Sequence, residues 1–180
     1  MSWIAKILIA KKIAKKVDRL TTQLENYSKA FMQCLKNTIV VDGLETGINQ
    51  IYLYIFISVI IARAYVYPYD KDKEIVSSYF LSNFANDMSK QHKIEIDKIY
   101  NEINYIDSCL SIGLDGIFFV MDPVSNARGD IDGVFDTIGN FFIENNYLNH
   151  SIIKSNTVLY GDIKNAIKAM IISIIKENNN

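Results

Sequence analysis

Between Ile51 and Ala62 the chain reads IYLYIFISVIIA, twelve consecutive residues without a charge. Such a segment ends up either in the middle of a folded core or in a lipid bilayer. As a helix, twelve residues at 1.5 Å each reach ~18 Å, well short of a ~30 Å hydrocarbon layer. Extension to Tyr67 gives ~25 Å but places Arg63 inside. A central arginine costs ~2.5–3.5 kcal/mol, and about nine Ile, Leu, Val and Phe side chains return a similar amount. The length rule therefore favours a central core helix with Arg63 reaching outward along its stem. The alternative is a small integral membrane protein spanning near Ile51–Tyr67, with Tyr52, Tyr54, Tyr65, Tyr67 and Tyr69 as interfacial belts.

Apolar residues recur at helical spacing on both sides of this segment, with a short extended piece at Thr38–Val41 as the one alternative. The expected fold is all-α, a compact bundle of about six helices in a single domain over residues 1–180. A basic amphipathic helix spans 1–37 and is followed by a break from Asn37 to Gly47. The central helix covers Glu45 to Tyr67 and must stop before Pro68. Helix three runs from Lys73 to Met88 with Val76, Phe80, Phe84 and Met88 inside. Helix four runs from Lys93 to Ile112 and buries Ile96, Ile99, Ile103, Ile106 and Leu110. An irregular stretch, Gly113 to Gly129, separates it from a helix capped by Asp130 that buries Ile131, Val134, Phe135, Ile138 and Phe142. The last helix begins at Asn156 or Asp162, ends at Lys176 and buries Ile163, Ala166, Ile167, Met170, Ile171 and Ile174, with Lys164, Lys168 and Lys176 outside. Residues 177–180 are a frayed tail.

The formal net charge is −1, so no global field attracts nucleic acid. The distribution is uneven. Residues 1–20 carry six Lys and Arg against one Asp, whereas residues 114–144 carry one Arg against six acids. At 100° per residue, Ala10, Ile13, Ala14, Val17, Leu20 and Leu24 share one side of the first helix. Lys11, Lys12, Lys15, Lys16 and Arg19 share the other. Ile4 and Leu8 depart from the pattern by falling on the charged side, and Lys6 by falling on the apolar one.

This helix is the candidate site. Trp3, Lys11, Lys12, Lys15, Lys16 and Arg19 are its contact residues toward an anionic membrane surface or an acidic protein partner. Near an anionic leaflet each basic residue contributes ~1 kcal/mol. Insertion of Trp3 and Ile7 would add ~1.5–3 kcal/mol per side chain. The competing reading is that the stripe packs on the body like the other helices and its lysines are merely solvated. Nucleic acid is disfavoured, because within this helix only Arg19 is an arginine and no groove-reading pattern follows.

Enzymatic chemistry finds little footing. Asp115, Asp122, Asp130, Asp132 and Asp136 form an acidic cluster that would suit a divalent metal, and a metal-dependent hydrolase on the 115–136 aspartates is the third reading. The cluster fails the Ca²⁺-loop frame, since Arg128 occupies the first ligand position and Gly139 the twelfth. His92 and His150 lack zinc-site spacing. No nucleophile elbow or phosphate-binding glycine loop is present, so no cofactor is expected. Cys34 and Cys109 stand outside any paired motif, and two packed thiols in a reducing compartment are expected. Together these features point to a non-catalytic interaction protein of the cytoplasm, peripheral to the inner face of a membrane.

Overall fold

The computed structural model describes residues 3–39, 49–122, 129, 131–146 and 150–178. Among the described residues there are seven helices and no strands: α1 (Trp3–Ile39), α2 (Gln50–Val66), α3 (Lys71–His92), α4 (Ile96–Met121), α5 (Asp132–Asn146), α6 (His150–Ser155) and α7 (Thr157–Asn178). The fold is all-α, as the periodicity predicts.

The apolar segment is the hub. In α2, Leu53, Ile55, Phe56, Ile57, Val59, Ile60 and Ile61 are buried, and the helix touches α1, α3, α4, α5 and α7. A helix that is apolar all round needs partners on every side, and here five others supply them. Its start is set by Asn49, whose Oδ1 accepts from the Tyr52 N–H at 3.1 Å. Its end is set by Pro68, which disfavours helical backbone in the residue ahead of it; Tyr67 is extended, and the Tyr67–Pro68 bond is cis. Residues 45–48 of the expected helix lie outside the described residues.

The inward stripes follow the sequence pattern, except that Ile96, Ile131, Val134 and Ala166, expected inside, are half-buried. Val76, Phe80, Phe84 and Met88 line α3, Ile99, Ile103, Ile106 and Leu110 line α4, and Ile163, Ile167, Met170, Ile171 and Ile174 line α7. Asp70 caps α3 by accepting from the Asp72 N–H at 2.8 Å. Lys93, at φ 55°, ends it in the left-handed region.

Several expectations require correction. First, α4 does not stop at Ile112 but continues to Met121, straight through Gly113 and Gly116. Gly113 is not a turn residue: a Cβ there would lie 3.1 Å from Val134 Cγ1, so the missing side chain lets α5 approach closely. Second, α6 is an additional short helix. Asn156 accepts from the Leu159 N–H at 3.1 Å and so caps α7 at its start. Third, Arg63 does not reach outward into solvent but is drawn to carboxylates on α4. Fourth, Cys34 and Cys109 are exposed rather than packed, and neither forms a disulfide.

Candidate functional site

The stripe on α1 divides at Val17. From there on, Val17, Leu20, Leu24, Phe31 and Leu35 are buried against the bundle. Before it, from Lys6 to Lys16, no residue is buried, although Ile13 packs partly on the core. The first turns of α1 thus run past the end of the body. Packing on the body accounts for the second half of the helix and leaves the first half uncovered.

On the overhanging half, Lys11, Lys12 and Lys15 are exposed and Lys16 is half-buried. None of the four forms an ion pair with a described residue. Leu8 is 62 % exposed. It stands three, four and seven residues before Lys11, Lys12 and Lys15, which places it on the lysine face. The departure seen in the sequence is therefore an apolar side chain set among cations. Trp3 lies in the helix, but its side chain is outside the described residues.

Arg19 belongs to a different structure. Its guanidinium donates to the Glu177 carbonyl oxygen at 2.8 Å, and the Tyr27 hydroxyl donates to Glu177 Oε2 at 2.9 Å. Burial, then the hydrogen bond to Glu177, push the Tyr27 phenol upward, so it stays protonated. The pair clasps the end of α7, where helix carbonyls lack intrahelical donors. Residue 177 lies in α7 and is not part of a frayed tail.

The acidic cluster is taken apart by the fold. Asp115 faces Arg63, Asp132 pairs with Lys168, and Asp136 pairs with Lys164 at 2.6 Å. Asp122 stands just past the end of α4. Lys164 and Lys168 are thus not simply solvated. They tie α7 to α5 across Phe135, over which the Lys168 ammonium lies 5.5 Å from the ring centre. Asp130 lies outside the described residues. Among the described residues no group of three His, Cys, Asp or Glu is placed to hold a metal ion.

The residues facing the overhanging stripe of α1 were not legible from sequence. Tyr79 of α3 falls between the core positions Val76 and Phe80, is 54 % exposed, and stands opposite that stripe. Its place off the buried line of α3 was the only signal.

No family model, curated protein or solved structure matches this chain.

Proposed function

We propose that this protein is a non-catalytic interaction module that adsorbs to an anionic membrane surface through the overhanging half of α1. The observation that carries the reading is the lysine face with an exposed leucine at its end. Lys11, Lys12 and Lys15 stand free of the body, and Leu8 beside them is open to solvent. Three lysines at ~1 kcal/mol each, with ~1.5–3 kcal/mol for inserting Leu8, give about 5 kcal/mol. That corresponds to roughly sub-millimolar, reversible binding. An acidic protein surface would use the same charges. The exposed leucine favours the bilayer, because a headgroup region offers it hydrocarbon.

Flotation with vesicles decides the matter. The full chain should rise with phosphatidylserine-containing vesicles and not with pure phosphatidylcholine, and the triple reversal K11E/K12E/K15E should abolish it. Equal, negligible flotation of both proteins on both lipids would refute the reading.

Integral insertion is the second reading, and α4 favours it. Ile96–Met121 is long and apolar enough to cross a membrane by length and composition. The span expected from sequence, α2, has 17 residues, about 26 Å, and is surrounded by helices. Complete extraction of the protein by carbonate buffer without detergent would remove this alternative.

A further inference from the structure

The inward stripe of α1 continues past the point where the core ends. Ile9, Ala10, Ile13 and Ala14 prolong the line of Val17 and Leu20. Among the described residues, the element opposite offers only Tyr79 and Asn83 of α3, both exposed. Between them lies a groove of about 580 Å³. Ala10 and Ala14 lie beside the larger Ile9, Ile13 and Val17 and keep that edge of the stripe low. Among the described lining residues, charge appears only at the two ends, Lys6 at one and Asp18 at the other.

We propose that this groove binds the hydrocarbon chain of a single-chain anionic amphiphile, a free long-chain carboxylate, with its head group at Lys6. The volume falls within the range of small-molecule sites, which are mainly apolar with few orienting polar groups. From Lys6 to Val17 the floor extends about 16 Å along α1. An extended hydrocarbon chain is thin enough to lie along that floor, and a single cation at one end suits one anionic head group. The end charges fix the direction: the anion is attracted by Lys6 and repelled by Asp18, so the tail points toward Val17. The site is independent of the bilayer reading, because it lies across α1 from Lys11, Lys12 and Lys15.

Calorimetry of the full chain with dodecanoate, kept below its micelle-forming concentration, tests the proposal. One equivalent should bind. Each methylene removed, through decanoate to octanoate, should weaken binding about fourfold. Dodecanol, lacking the anion, should bind more weakly, as should dodecanoate to K6E. A14F fills the floor at an exposed position and should lose more than about tenfold with an unchanged melting temperature; A10F is the second such variant. K11E/K12E/K15E should bind dodecanoate as the unaltered chain does, while failing to float with anionic vesicles. The proposal is overturned if A14F and A10F bind normally, or if chain length has no effect. It is equally overturned if the lysine triple abolishes binding, which would mean adsorption to the basic face. Self-association of the ligand-free chain that A14F removes would make a second copy the occupant. Loss of vesicle flotation by A14F without any dodecanoate binding would make a bilayer lipid the occupant. Either result ends the proposal for a free carboxylate.

Discussion

Arg63 of α2 and Asp107 of α4 meet in a two-point contact: Nε donates to Oδ1, and Nη2 donates to Oδ2 at 2.8 Å. Nη1 extends the contact to Asp115 at 3.4 Å and to the Tyr69 hydroxyl at 3.1 Å. That hydroxyl in turn donates to Asp115 Oδ2 at 3.0 Å. One guanidinium therefore gathers two carboxylates and a phenol, and the hydrogen bond to Asp107 is the main cause that raises its pKa further.

The two carboxylates should differ in weight. Removing Arg63 leaves both without their cation, so R63A should lower stability by about 2 kcal/mol, between the values for exposed and buried pairs. D107N should cost most of that and D115N under about 1 kcal/mol, since Asp115 makes the longer contact. Chemical denaturation midpoints of the three variants would show the order, and equal effects of D107N and D115N would contradict it.

Glycine replacements should split by sign. A Cβ at Gly139 would lie 2.7 Å from Lys164 Cγ, close to the backbone of that residue, so the lysine stem must move and its pairing with Asp136 suffers. G139A should therefore destabilise by about 1 kcal/mol despite better helix propensity. Gly116 and Gly161 sit inside helices, and a methyl added at either would meet nothing within 4 Å. G116A and G161A should each stabilise by about 0.5–1 kcal/mol. Thermal melts of the three variants check both signs.

Burial raises the carboxyl of Glu102 above its ordinary 4.5. The folded protein then holds that proton more tightly than the unfolded chain. Its contribution to stability is present below the unfolded value and is lost as pH rises through the folded one. E102Q should thus melt higher than the unaltered protein at neutral pH, and the difference should vanish below about pH 4. A difference that grows on acidification would have the wrong sign.

The two classes of cation on α1 should separate experimentally. R19A breaks the contact with the end of α7 and should cost about 1 kcal/mol. K15E alters an exposed side chain outside any described ion pair and should stay within about 0.5 kcal/mol. In flotation the order should reverse, with K15E impaired and R19A intact. Melting temperatures and vesicle binding measured on the same two proteins test this crossing.

Much of the architecture was legible because helical periodicity is local. The stripes through Phe80, Ile103 and Ile167 are spaced so that each demands a neighbour, and Pro68 marks the end of α2 by its own chemistry, whereas the cap at Asn49 was missed because the spacing alone carries the helix back to Glu45. Gly113 and Gly116 misled, since a glycine reads as a break unless the element packed upon it is known. The same holds for Arg63, whose partners lie 44 and 52 positions away. The acidic run failed for the opposite reason: nearness along the chain between Asp115 and Asp136 says nothing about which lysines of α7 will claim its members.

The sequence by itself determined that the chain is helical and which face of most helices turns inward, and it set residues 51–62 apart as a segment fit for a core or a bilayer, because these follow from spacing and hydropathy within a few turns. Where α1 outruns its support was decided only by tertiary structure. Ala10, Ala14 and Val17 carry the same periodic signal, and burial depends on whether another helix stands opposite. In this fold Val17 is covered, while Ala10 and Ala14 face a groove.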